Sequence, residues 1–172
     1  MQTGIDYALS YIKSFEGYIK APVWDVNAYR LGYGSDTITN PDGSWRKVQI
    51  NDRVNEAQAL LDLKRRLSTE FEPKVIRKVG LTNWNKLHPK VKGALLSLAY
   101  NYGNITKQAI VDAIAIGNNQ LIAKAIVTST LNDNKKLPVK TQEALKLRRK
   151  KEADIIASVP DQAPDDKKKT TV

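Results

Sequence analysis

The hydrophobic pattern of this chain changes period twice, near Gly17 and again near Asp52, and those two switches limit the folds open to it. Ile5, Ala8, Leu9, Ile12 and Phe15 recur at the three- and four-residue spacing of a helix face. They predict a first helix ending at Glu16, with Gly17 where a left-handed cap would fit. Residues 18 to 50 mix Tyr, Trp, Val and Ile with Gly32, Gly34 and the turn signal Asn40-Pro41-Asp42-Gly43, which predicts short strands joined by turns. From Asp52 the helical period returns, with Val54, Ala57, Leu60, Leu61, Leu67 and Phe71 on one stripe until Pro73 interrupts or restarts it. His88-Pro89 opens a further helix through Val91, Leu95, Leu98 and Ala99, and others follow over 107–116, 119–128 and 141–157. Strands confined to one stretch among helices predict a mainly helical α+β fold. It has a small hairpin-bearing lobe and a larger helical lobe, with a cleft between them and the long helix after Asp52 crossing from one to the other.

A chain of 172 residues can bury one core shared by two small lobes. The expected domain covers 1–158, and the proline-broken, charged stretch 159–172 is expected to be disordered. No apolar run approaches the roughly 18 residues needed to span a bilayer, and the first residues do not read as a secretory leader. With no cysteine and one histidine, disulfide, thiol and His-rich metal chemistry are excluded, and no metal or cofactor is expected. The formal charge of +10 points to a polyanionic neighbour, either nucleic acid or an acidic bacterial envelope. No nucleic-acid recognition motif supports the first of these, a basic helical nucleic-acid-binding domain. The clusters Lys64-Arg65-Arg66, Lys135-Lys136 and Arg148 to Lys151 read as solvated faces.

Two carboxylates carry the chemical signal. Glu16 falls at the negative end of the first helix beside Phe15, and both surroundings favour a neutral acid. Asp25 follows eight residues later in a polar turn with Asn27, where a carboxylate stays ionised. Two carboxyls held in different protonation states are what glycosidic cleavage requires, one to protonate the leaving oxygen and one to support the cation or activate water.

The residues around this pair resemble the phage-type lysozymes, glycoside hydrolase family 24. Phe15-Glu16-Gly17, the spacing from Glu16 to Asp25, and Leu31-Gly32-Tyr33-Gly34 match its opening motifs. The stretch from Ala94 to Gly103 and the run Leu145, Arg148, Arg149, Glu152 match its later ones, so the likeness spans roughly residues 5 to 157. The resemblance implies a monomeric muramidase that cleaves the β-1,4 bond between N-acetylmuramic acid and N-acetylglucosamine in peptidoglycan, needs no cofactor, and is held in the host cytoplasm before lysis or carried by the virion. A lytic transglycosylase acting on the same bond is the alternative. Glu16 is then the acid and Asp25 the second carboxylate. Tyr33, Ser35 and Asn101 are candidate substrate contacts, and Asp36, Arg148 and Arg149 supporting charges, one arginine being placed to pair with Glu16.

Three features depart from the family pattern. The loop after Asp25 is one residue shorter, and Arg30 replaces a threonine that helps hold the attacking water, while Ser35 replaces a histidine. A guanidinium has no acceptor and cannot act as a base, so Arg30 is expected to hold Asp25 or Asp36 by charge.

Overall fold

The computed structural model describes residues 1–131, 133 and 135–161. Helix α1 (Gly4–Phe15) starts at a capping box in which Thr3 and Asp6 satisfy each other's backbone N–H groups. The chain leaves α1 in extended conformation at Glu16, which caps the helix through its N–H to Ile12, so the left-handed Gly17 expected from the sequence does not form.

Two antiparallel hairpins follow, β1 (Ile19–Asp25) with β2 (Ala28–Gly32) and β3 (Thr37–Thr39) with β4 (Trp45–Lys47). The Asn40-Pro41-Asp42-Gly43 turn closes the second, with Gly43 in the left-handed region that glycine occupies freely. The first closes on Val26-Asn27, and Val26 takes a φ of 53°, an uncommon conformation for a β-branched residue.

Helix α2 (Glu56–Arg66) begins four residues later than the sequence suggested, at a second capping box between Asn55 and Gln58. It runs through a π-helical segment, Leu67–Phe71, into α3 (Glu72–Val79). The buried stripe is Ala59, Leu63, Leu67, Phe71, Val75 and Val79, whereas Ala57 and Leu61 face outward, contrary to the expected stripe. From Leu63 onward these residues are spaced by four. Four residues overshoot a 3.6-residue turn by about 40°, so four such steps would carry the stripe about 160° round a regular helix. The π segment absorbs one residue, about 100°, and keeps the stripe on the core. Pro73 is placed just after it, where the irregular winding of the π segment interrupts the regular hydrogen-bond ladder.

The remaining helices are α4 (Leu81–Lys86), α5 (Pro89–Tyr102), α6 (Gln108–Ile116), α7 (Asn119–Thr130) and α8 (Val139–Ala157). His88 is the boundary residue the sequence suggested, its Nδ1 accepting from Lys90 N–H at the start of α5. Helix α5 is buried along most of its length and packs against α1 and α8. The contact with α1 is close because Gly93 has no side chain: a Cβ there would lie 2.5 Å from the Cβ of Tyr7 and 3.0 Å from the N of Ala8. The architecture is the mainly helical α+β arrangement expected, with the hairpins segregated from the helical core. Within the stretch expected to be disordered, Val159 is buried and Asp161 accepts the N–H of Asn119 at 2.6 Å, so the chain is tied to the start of α7 this far. The rest of that stretch, 162–172, lies outside the described residues.

Candidate active site

Glu16 reaches its position because α1 lies close on α5 and ends where it does. Its Oε1 accepts from Arg148 Nη1 of α8 at 2.5 Å, and its side chain stays about 29% exposed. The sequence placed this carboxyl in apolar company; in the structure Phe15 covers the arginine instead, with the guanidinium carbon 5.0 Å above its ring. Arg148 is itself buried and anchored by Ser97, through the carbonyl and Oγ at 3.3 and 3.4 Å, and by Glu152 at 3.3 Å.

Glu152 is fully buried and takes a hydrogen bond from Ser97 Oγ at 2.7 Å. Burial pushes its carboxyl up, opposed by Arg149, Ser97 and Arg148. Arg149 is the second cation on it, with Nε 3.1 Å from Oε2, a contact of charge whose angle is not that of a hydrogen bond. Arg149 lies over Tyr102 at 5.0 Å and pairs with Glu152, not with Glu16. The run Arg148 to Lys151 is therefore not the solvated face expected of it: two of its arginines are core residues.

Asp25 ends β1, and Arg30 Nε donates to its Oδ2 at 2.8 Å. Register explains the pairing, because Asp25 faces Ala28 and Arg30 faces Val23, so the two charged residues are diagonal neighbours on one face of the ladder. Arg30 thus pairs with Asp25 and not with Asp36. Asp36 instead meets Lys47 at 2.5 Å and Arg66 at 3.5 Å. Burial pushes its carboxyl up, but these cations outweigh that and hold it below the usual aspartate value.

Two of the candidate substrate contacts are internal. Tyr33 is 2% exposed, its hydroxyl donating to Glu56 and its carbonyl accepting from Tyr100, so it is a packing residue. Ser35 is buried and donates to Asp62 at 2.5 Å, where Thr37 and Thr39 also donate, at 3.0 and 2.6 Å. This buried carboxylate fastens β3 to α2, with Arg65 and Arg66 closing over it through Thr39, Thr37 and Ser35. The cluster Lys64-Arg65-Arg66 is therefore also not simply a solvated face. Asn101 is exposed on the last turn of α5 and remains available to a ligand.

The arrangement presents one partly exposed carboxyl fixed by a buried arginine, and a second, more than half exposed, paired with an arginine on a hairpin. No group of three or more metal-ligating side chains gathers among the described residues. The phage lysozyme family model matches residues 13–152, a stretch that takes in Glu16, Asp25, Arg30, Asn101 and the run from Arg148 to Glu152. No curated protein matches the chain.

Proposed function

The chain belongs to the phage lysozyme family, whose members degrade peptidoglycan, and from that premise we propose that it is a muramidase with Glu16 as its general acid. The bond cleaved is the β-1,4 linkage from N-acetylmuramic acid to N-acetylglucosamine. The observation that carries this reading is the Glu16–Arg148 contact: a helix-end carboxyl left open to solvent on one side and fixed on the other by a guanidinium that Ser97 and Glu152 immobilise. Such fixing holds the acid at the leaving oxygen without reorganisation during the reaction.

Asp25 serves as the second carboxylate, supporting the oxocarbenium-like charge and the attacking water. Arg30 sets its position and takes the place of a residue that would hold water directly. Asn101 meets the sugar from the helical lobe. The enzyme acts as a monomer, and its excess of positive charge favours approach to the anionic envelope. Its target is the wall of the host cell, reached from within at lysis or from the virion. No helix among the described residues is long and apolar enough to cross a membrane.

Glu16→Gln tests the reading, because the amide keeps the volume and cannot donate the proton. Turnover of purified wall should fall on the order of 10²- to 10⁴-fold with the fold intact, and near wild-type turnover would overturn the assignment. Mass spectrometry of the wild-type digest then separates hydrolysis, which leaves reducing muramic ends, from transglycosylation, which leaves anhydro ends.

A further inference from the structure

Of three tryptophans, Trp84 is buried, whereas Trp24 and Trp45 are 59% and 52% exposed. Trp24 directly precedes Asp25 on β1 and so points to the other face of the strand. Tyr29 is its partner across the ladder, ring centroids 5.0 Å apart and planes at 77°. Between this aromatic wall and the second hairpin lies a groove of about 390 Å³. Trp24, Asn27 and Tyr29 line it from one side, Asp36 and Lys47 from the other, and buried Val48 contributes an apolar surface.

We propose that this groove is a saccharide subsite for the glycan strand beyond the sugars at the cleaved bond, with a pyranose ring lying on Trp24. Its size and lining suit a ligand of that kind: a concavity of a few hundred cubic ångströms with aromatic and apolar walls and a few convergent polar groups. An aromatic face carries negative charge density and attracts the C–H face of a sugar ring. Asn27, Asp36 and Lys47 supply donors and acceptors for its hydroxyl and acetamido groups. Lys47 and Asp36 enter this lining as an ion pair, so they contribute hydrogen-bonding groups with little net charge. Pairing with Tyr29 accounts for the place of Trp24 but leaves more than half of the indole in water, and a ligand would cover it.

Continuity selects the occupant. Asn27 and Ala28 line the groove at the hairpin end beside Asp25, so a polymer held at Asp25 reaches Trp24 on the opposite face by passing round the Val26-Asn27 turn. The inference rests on the peptidoglycan reading, and its test is separable from that of Glu16.

The full-length Glu16→Gln protein is titrated with a hexamer of N-acetylglucosamine, and the indole N–H signals are followed by NMR. The signal of Trp24 should shift, and those of Trp45 and Trp84 should move little. Adding Trp24→Ala should weaken hexamer binding roughly five- to tenfold, while Trp24→Phe keeps most of it. With Glu16 restored, Trp24→Ala should raise KM for soluble wall fragments and leave kcat within about twofold. An unmoved Trp24 signal, with affinity and KM unchanged in a protein that melts normally, would overturn the proposal and leave Trp24 as the partner of Tyr29 alone. A Glu16→Gln enzyme that still turned over would overturn the catalytic assignment instead, whatever the binding data showed.

Discussion

Replacing Gly93 by alanine should injure both the fold and the chemistry, although alanine is the better helix former. The added carbon would lie 2.5 Å from the Cβ of Tyr7, 3.0 Å from the N of Ala8 and 3.1 Å from the carbonyl of Gly4. Most of these atoms are backbone, so no rotamer change relieves the clash. Ordinary contact begins near 3.4 Å, so α1 and α5 must part by close to 1 Å. Overpacking of this kind costs about 1–3 kcal/mol, and alanine in the helix interior returns up to about 1 kcal/mol. The 2.5 Å approach belongs at the upper end of the overpacking cost, so a net loss of about 1–2 kcal/mol follows, a fall of roughly 3–6 °C in Tm for a chain of this size. The parting also moves Glu16, because α1 carries it. A displacement near 1 Å can cost on the order of 10²-fold in rate, so wall turnover should fall ten- to a hundredfold, more than the lost stability explains. Urea melts and turbidity loss of a wall suspension, measured on one preparation below its Tm, give both numbers. A variant as stable as wild type, or one destabilised yet fully active, would refute the idea that this contact sets the acid.

Three further outcomes are expected. Val26→Asn should stabilise the protein by about 1 kcal/mol in urea melts, since Val26 is 88% exposed and loses no packing while asparagine accepts the left-handed backbone; no rise in midpoint would show the turn to be unstrained. Glu152→Gln should cost about 3 kcal/mol by chemical denaturation, because it leaves Arg148 and Arg149 buried with one countercharge fewer, and it should lower turnover through the loosened Arg148. Asp36 and Glu70 are both held below their ordinary values: burial raises each, and it is outweighed for Asp36 by Lys47 and Arg66 and for Glu70 by Arg65 and Arg66. Groups depressed in the folded state stabilise fully above their unfolded values of 3.8 and 4.5, and that contribution disappears as pH falls below them through the lower folded values. Stability should therefore drop on acidification below about pH 4.5, and Asp36→Asn with Glu70→Gln should flatten the drop in pH-dependent melts.

The helices were legible because their apolar residues carry a period, and the hairpins because glycine and proline punctuate them. What escaped was polar and long-range. Asp62 reads as one more surface residue of α2, yet it is the acceptor of Ser35, Thr37 and Thr39. The alternation of those hydroxyls along the strand was the available signal. A family-matched position such as Ser35 does not reveal which way its side chain turns, and its hydroxyl is turned into this network. Glu16 and Arg148 lie 132 residues apart, and the stripe of Leu145, Glu152, Ile155 and Ile156 marks one of the two arginines as inward-facing without saying which of them meets Glu16. Gly93 leaves no trace in periodicity, since what matters there is the absence of a side chain against another helix.

The π segment between α2 and α3 has a consequence for how this family's chains can vary in length. In a regular helix each residue gained or lost turns everything beyond it by about 100°, so length changes within α2 or α3 would swing buried faces into water. Removing one residue between 67 and 71, Thr69 for example, would instead convert the segment to ordinary winding while Leu63, Val75 and their neighbours kept their facing. Along the helix from 56 to 79 this is the stretch where a deletion leaves the two ends in phase, and therefore where natural relatives of different length should differ.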